Sequence, residues 1–302
     1  MAKVGFVGLG SMGGRIVKRL LTAGHQVSGY NRTRAKVESL VQAGMQWQDS
    51  PREVAQTADI TLSMVTDSAA LSSITDGADG ILAGLSAGKI YVDMSTVSPK
   101  LIRDLAVRVA ATGAEMLEAP VSGSIPAAES GSLIIYAGGS ADTLEKVRPV
   151  FEQLSQKIIH VGGNGQAIAT KIAINLNLPV QLVSLFEGVL LAERSGIPRA
   201  AALDALLNSV AASMAMKYRG PFMLKMPEEV WFSAAMMKKD IDLALELGEE
   251  LGVTLRSAEL ANEMLTKAIE LGWGEDDFAV LFRVVEQLSA KSARVEPRRN
   301  EA

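Results

Sequence analysis

The chain has 302 residues, 48% of them hydrophobic and 21% charged, which is enough for two globular domains with sizeable cores. A net charge of −4 gives no general attraction to nucleic acid or to an anionic membrane. With no cysteine, disulfides, thiolate nucleophiles and thiolate metal sites are excluded, and no metal site is expected.

The N-terminus is interrupted by glycines from Gly5 onward and lacks the apolar core of about 7–15 residues that a signal peptide needs. From there short β-rich runs alternate with amphipathic ones. Strands are predicted at Lys3–Val7, Gln26–Tyr30, Asp59–Met64, Ile90–Asp93, Glu115–Glu118 and Leu133–Ala137, with helices such as Arg15–Ala23, Arg34–Ala43 and Pro99–Ala111 between them. That alternation implies βαβ units and a mainly parallel sheet with helices on both faces. After Gly165 the strand signal stops, and helices are predicted over 168–194, 199–211, 229–251, 255–270 and 275–290. The apolar stretch Ile172–Ala192 carries Asn175, Asn177, Gln181 and Glu187. Each is costly in lipid, so it reads as a buried helix rather than a membrane span.

The expected fold is therefore α/β. A Rossmann-type dinucleotide-binding domain covers 1–163, and a long helix joins it to an all-α substrate and dimerisation domain at 164–292. A disordered tail follows at 293–302. The active site is expected in the cleft between the domains, and the cytoplasm is the expected location.

Gly8-Leu9-Gly10-Ser11-Met12-Gly13 lies directly after the first strand and opens the first helix. This G-x-G-x-x-G allows a tight turn, close approach of backbone N–H groups to a pyrophosphate, and close helix packing. The helix N-terminus adds its partial positive charge. At the end of the second strand, where an NAD-binding fold usually offers an acidic residue to the ribose, stand Asn31, Arg32 and Thr33. They suit a 2′-phosphate, with Arg32 as charged donor; the alternative is a solvated loop start. NADP(H) is the expected cofactor, with NAD(H) possible.

His25 and His160, the two histidines, stand in structural contexts at a turn and at the end of an apolar run. The stronger proton donor is Lys171, which shares a helical face with Asn175 four residues on. Its neighbours Ile168, Ala169, Ile172 and Ala173 are apolar. A partly desolvated lysine titrates readily and suits proton transfer to a carbonyl; the alternative is a snorkelling lysine at a helix start. Pro179 removes one intrahelical hydrogen bond, from its own position to the Asn175 carbonyl.

Taken together, GFVGLGSMG, YNRT, VDMSTVSP at 92–99, EAPVSGSIPAAESGSL at 118–133, the Lys171/Asn175 helix and KKDIDLALELG at 238–248 resemble the β-hydroxyacid dehydrogenases. That family includes 3-hydroxyisobutyrate dehydrogenase and tartronate semialdehyde reductase. The resemblance covers about residues 2 to 290 and points most to the glyoxylate/succinic semialdehyde reductase branch. It implies Lys171 as proton donor and acceptor, with Asn175 orienting the substrate. Ser122 and Gly123 would hold the substrate carboxylate with Ser124 close by, and Phe232 and Asp240 would close the pocket. Ser95 and Thr96 would lie near the nicotinamide ribose and Lys239 over the cofactor, with Val65 and Thr66 among the cofactor-binding residues.

Three positions depart from the family. Ile174-Asn175 keeps one amide of the usual Asn-Asn, Ala167 replaces a common glycine, and SGS replaces SGG at 122–124. These disfavour a 3-hydroxyisobutyrate dehydrogenase. The expected activity is reduction of a short aldehyde acid to the hydroxy acid, and the reverse. The alternatives are a 3-hydroxyisobutyrate or tartronate semialdehyde-type dehydrogenase, an imine-reducing or decarboxylating enzyme on the same scaffold, and a catalytically weak dinucleotide-binding scaffold protein. Expected partners are a small carboxylate substrate and further copies of the chain, as a homodimer or homotetramer, with no nucleic acid and no membrane.

Overall fold

In the computed structural model, which describes residues 2–292, the run KVGFV forms β1 (Lys3–Val7) with four of its five residues buried. A continuous apolar run suits a parallel strand covered on both faces. The remaining strands are β2 (Gln26–Tyr30), β3 (Gln46–Trp47), β4 (Ile60–Ser63), β5 (Ile90–Asp93), β6 (Glu115–Glu118), β7 (Val121–Ser122), β8 (Leu133–Gly139) and β9 (Ser155–Gly162). Their order is β3-β2-β1-β4-β5-β6-β8-β7, with β9 paired to β8. Every pair from β3 to β6 is parallel. β8 runs antiparallel to β6 and β7 and parallel to β9.

The first six strands thus follow the doubly wound order 3-2-1-4-5-6. With right-handed crossovers, the reversal at β1 sends the helices of the two halves to opposite faces. Ligands in such sheets bind beyond the carboxyl ends of the strands at that reversal, where the glycine loop and the loop after β4 lie. Three strands go beyond the sequence expectation. β3 and β7 have two residues each, too few for a pattern, and β9 is only partly buried along its length.

The chain divides into two compact units between Ile172 and Ala173. The core of the first includes Val4, Phe6, Ile16, Leu20, Leu62, Val92, Leu117 and Phe151. In the second, every regular element among the described residues is helical: the rest of Gln166–Arg194, then Arg199–Leu207, Met214–Arg219, Ala234–Leu251, Arg256–Glu270 and Leu281–Ser292, with 3-10 turns at Gly220–Met223 and Phe278–Val280. Its core is built on Leu182, Leu185, Phe186, Met237, Ile241, Leu265 and Leu281.

The helix Gln166–Arg194 has the length and composition of a membrane span, with hydropathy 1.4 over its most apolar window. Leu182, Leu185 and Phe186 of this helix belong to the core of the second unit, and Lys171 and Asn175 are buried. Pro179 lies inside it without ending it.

Several helix limits differ from the sequence expectation, among them the first helix, which starts at Ser11 rather than Arg15, and three in the second unit. The helix from Arg199 stops at Leu207, where Asn208 turns its amide back to the Asp204 carbonyl at 3.0 Å. The helix expected from 229 starts at Ala234, where Ser233 accepts from the Met236 N–H at 3.2 Å. The last helix starts at Leu281, because Asp277 instead caps the short turn Phe278–Val280. The tail expected to be disordered lies outside the described residues.

Candidate active site

The glycine loop is built by close approach. Gly8 has φ +96°, and a Cβ there would stand 2.3 Å from the Met64 carbonyl oxygen, so the loop after β1 presses on the end of β4. A Cβ on Gly13 would meet the Gly8 carbonyl oxygen at 2.1 Å. Gly10 differs: a Cβ there would meet nothing within 4 Å. Packing and backbone thus explain the first and third glycines, and the open space over Gly10 is what a phosphate group would fill. Gly10 also precedes the helix Ser11–Thr22, which has no side-chain cap, so its leading N–H groups suit an anion. Ser11 is exposed and Met12 half-buried. A groove of about 780 Å³ runs from Gly10 and Ser11 along this helix, flanked by Arg15, Lys18 and Lys36.

Asn31 is tied to that loop. Its Oδ1 accepts from the Leu9 N–H at 3.1 Å and its Nδ2 donates to the Thr33 carbonyl at 3.0 Å. It holds the glycine turn against the end of β2. Arg34 lies over the Trp47 ring at 5.3 Å. Arg32 and Thr33 are exposed.

The loops after β4 and β5 are joined by a buried polar chain. The Val65 N–H donates to Ser95 Oγ at 3.0 Å, and Ser95 donates to Asp93 Oδ1 at 2.8 Å. Ser63 donates to the same oxygen at 2.7 Å and pairs with the Tyr91 hydroxyl at 2.7 Å. With the Ser63 proton directed at Asp93, Tyr91 must be the donor to Ser63. Burial, with Asp93 nearby, pushes the Tyr91 hydroxyl well above its ordinary value and keeps that proton in place. Ser95, 2% exposed, has its hydroxyl committed within this chain. Thr96 is half-buried and Thr66 is exposed.

Beyond β6 the chain turns into β7, whose Ser122 pairs with Ile134 of β8. Gly123 has φ +121°, and a Cβ there would lie 2.8 Å from that of Ala127. Only glycine makes that turn without strain, and it leaves the Gly123 backbone exposed beside half-buried Ser122 and Ser124. Lys171, 9% exposed, sits in the first turns of the helix Gln166–Arg194.

The second unit brings three expected residues together. Asn175 Nδ2 donates to Asp240 Oδ2 at 2.5 Å, and Lys239 Nζ lies 2.8 Å from Asp240 Oδ1. Asn175 Oδ1 and Asp240 Oδ1 are buried without a hydrogen bond among the described residues. Phe232 packs edge-on against Phe278 at 6.3 Å. Its backbone is held by Asp277, whose Oδ2 accepts from the Phe232 N–H at 3.3 Å.

Residues 3–162 match the family described as the NAD-binding domain of 6-phosphogluconate dehydrogenase. Residues 163–285 match the NAD-binding family of NADP-dependent 3-hydroxyisobutyrate dehydrogenase. Glyoxylate/succinic semialdehyde reductase 1 of Arabidopsis thaliana is 34% identical over 283 residues, 94% of this chain and 98% of that protein. The chain belongs to the β-hydroxyacid dehydrogenase family. Two solved structures are also similar. 3-Hydroxyisobutyrate dehydrogenase of Mycobacterium tuberculosis with L-serine superposes with a TM-score of 0.84 at 27% identity, over 94% of this chain and 99% of that one. Psf3 in complex with NADP+ and 2-OPP gives a TM-score of 0.85 at 26% identity, over 93% and 99%.

As a β-hydroxyacid dehydrogenase the protein is an NAD(P)-dependent hydroxyacid dehydrogenase or reductase, and its open Gly10 and uncapped first helix fit a dinucleotide. Several buried polar residues of this dehydrogenase escape the sequence patterns. Asp93 and Glu118 are acids at the carboxyl ends of apolar strands, a signal present in IYVD and EMLE. Arg219 and Asp277, an ion pair of 2.9 Å with both side chains at most 2% exposed, are 58 residues apart and leave no pattern.

Proposed function

We propose that the protein reduces a short aldehyde acid of the succinic semialdehyde or glyoxylate class to the hydroxy acid, and catalyses the reverse, with NADP(H) preferred over NAD(H). The observation that carries this reading is Lys171, kept buried in the opening turns of a long apolar helix. A lysine set among apolar neighbours on a buried helix face suits a general acid. The similarity to a glyoxylate/succinic semialdehyde reductase supports the substrate class.

In this reading the dinucleotide, when bound, supplies the hydride to the carbonyl carbon. Lys171 Nζ gives a proton to the carbonyl oxygen and takes it back in the reverse direction. The Ser122 hydroxyl and the Gly123 N–H hold the substrate carboxylate, with Ser124 beside them. Asn175 orients the substrate, held in turn by Asp240, and Phe232 excludes water. Gly8, Gly10 and Gly13 shape the phosphate loop, with Ser11 and Met12 opening its helix, and Asn31 steadies it. Arg32 and Thr33 take the 2′-phosphate. Val65, Thr66, Ser95, Thr96 and Lys239 complete the cofactor site. Positioning and fixed charge supply most of the acceleration.

The protein works as a homodimer or homotetramer in the cytoplasm. Val210, Met214 and Leu224, exposed apolar residues of the helical unit, suit an interface between copies. A 3-hydroxyisobutyrate-type substrate is the second reading, favoured by the match over 163–285.

Cofactor oxidation should be followed against C2 to C5 aldehyde acids, with NADPH and NADH in parallel. Highest kcat/KM for succinic semialdehyde or glyoxylate is expected. Turnover confined to branched hydroxyisobutyrate-type acids selects the second reading, and propanal matching succinic semialdehyde removes the carboxylate role of Ser122 and Gly123.

A further inference from the structure

We propose that Glu118 is a positioning residue for Lys171: its carboxylate anchors the start of the lysine's helix and ties it to the strand end leading into Ser122 and Gly123. The proposal rests on the reading of Lys171 as proton donor.

Glu118 is the last residue of β6 and is 1% exposed. Its Oε1 accepts from the Ala167 N–H at 2.7 Å, across 49 residues of sequence. The N–H groups of Ile168 and Gly165 also act on the carboxylate and favour its charged form. The first N–H groups of a helix have no intrahelical partner. The local side chain that could serve them, Gln166, instead accepts from the Gly163 N–H at 2.7 Å. The cap therefore comes from the sheet, and a carboxylate there is also favoured by the helix dipole.

Lys171 follows Ala167 by four residues, about 6 Å along the axis at 1.5 Å per residue. On the other side, Glu118 precedes Ser122 by four residues, and Val121 and Ser122 are fixed by pairing to β8. One side chain thus sets the helix start against the strand end.

A second observation points to the same contact. A Cβ on Gly138 of β8 would stand 2.3 Å from Glu118 Oε1 and 2.9 Å from the Gly163 carbonyl oxygen. The backbone there has no left-handed φ, so glycine at 138 makes room for the carboxylate. The arrangement is costly to keep. Burial, with Asp93 adding to it, pushes the Glu118 carboxyl up to about 7 against the pull of the helix N–H groups. Its Oε2 makes no hydrogen bond among the described residues. An apolar side chain would fill the space without that cost.

The test compares Glu118→Ala, Glu118→Gln and Gly138→Ala in the full-length protein. It reads kcat, NADPH affinity and hydrogen exchange of the amides of residues 166–171. Glu118→Ala should lower kcat by about tenfold to a hundredfold, the scale of a small misplacement of a reacting group, with NADPH affinity within about twofold of wild type. Exchange at 166–171 should accelerate. Glu118→Gln keeps an acceptor for Ala167 and should restore kcat to within about threefold. Gly138→Ala takes the carboxylate's space and should reproduce the loss; with Glu118→Gln it carries the test if Glu118→Ala does not fold. Wild-type kcat in Glu118→Ala, unchanged exchange at 166–171, or a glutamine variant as impaired as the alanine one overturns the proposal. Lys171→Ala, measured alongside, separates the two readings. If it retains most of its kcat, the Lys171 reading has failed and this proposal falls with it. If it loses kcat and Glu118→Ala does not, this proposal alone has failed.

Discussion

Asn175 donates its amide to Asp240 Oδ2 at 2.5 Å, and the direction of that bond fixes what Asn175 can offer. A carboxylate only accepts, so one N–H of the amide is committed, and Oδ1, buried and without a hydrogen bond among the described residues, is left as an acceptor for a ligand. Asn175→Asp would set two carboxylates in contact, and one of them must take up a proton. An acid whose folded pKa is raised keeps its stability at low pH and loses it as pH rises. The Tm deficit of this variant should therefore be much larger at about pH 8 than at about pH 5. Equal deficits in scanning calorimetry would show that the two side chains are not in contact.

Glu118 imposes a pH slope on the native protein. Its carboxyl, pushed up to about 7 by burial and by Asp93, holds a proton in the folded state where the unfolded chain has lost it. Its contribution is fully present below the ordinary value of 4.5 and is lost as pH rises through about 7. The slope in that window is at most about 1.4 kcal/mol per pH unit. Glu118→Gln does not titrate, so its unfolding free energy relative to wild type should improve steadily between those pH values. Urea denaturation across the window checks this; a constant difference contradicts it.

Arg219 and Asp277 should be far more sensitive to loss of one partner than any surface pair. Arg219 Nη1 reaches both Asp277 oxygens, at 2.9 and 3.1 Å, and its guanidinium lies 4.1 Å from the Phe278 ring centroid. Burial pushes the Asp277 carboxyl up, against the pull of Arg219 and the Ala279 and Phe232 N–H groups. Arg219→Leu leaves a buried carboxylate unpaired and should cost about 3–5 kcal/mol of stability. Arg256→Leu breaks the exposed pair with Glu259 and should leave stability nearly unchanged. Similar losses in both variants would contradict the assignment.

The parts of the fold that were legible in the sequence are those where burial is continuous. β1, β2, β5 and β6 match their predicted limits; in β1 the run KVGFV is nearly unbroken and apolar, as suits a parallel strand covered on both faces. The Gly8–Gly13 spacing was legible because strand, loop and helix follow one another within a few residues. Residues 229–233 were not: their sequence continues a helical pattern, but the backbone is held by Asp277, far along the chain. The site was legible as motifs and opaque as connections. Ser95 lies inside a recognisable segment, but the bond from the Val65 N–H to its hydroxyl joins two loops 30 residues apart. Glu118 sits inside a recognisable segment, but its partner Ala167 is 49 residues away, and no local period records that pairing.

Cofactor choice should turn on Arg32. It is exposed at the end of β2, while Asn31 is occupied in holding the glycine loop. A charge-assisted contact to a 2′-phosphate contributes about 1.5–3 kcal/mol, or one to two orders of magnitude in affinity. NADPH should exceed NADH in kcat/KM by at least about tenfold, and Arg32→Ala should weaken NADPH while leaving NADH nearly unchanged. Equal weakening of both would mean that Arg32 serves a part of the cofactor common to the two.

Lys171 is the group proposed to move the proton. The direct measurement is kcat of Lys171→Ala with saturating NADPH and succinic semialdehyde, beside NADPH affinity from fluorescence titration. Loss of a general acid should lower kcat by about 10²–10⁴ while cofactor affinity stays near that of the native protein. A variant that keeps more than about a third of the native kcat under saturation would show that the proton comes from elsewhere.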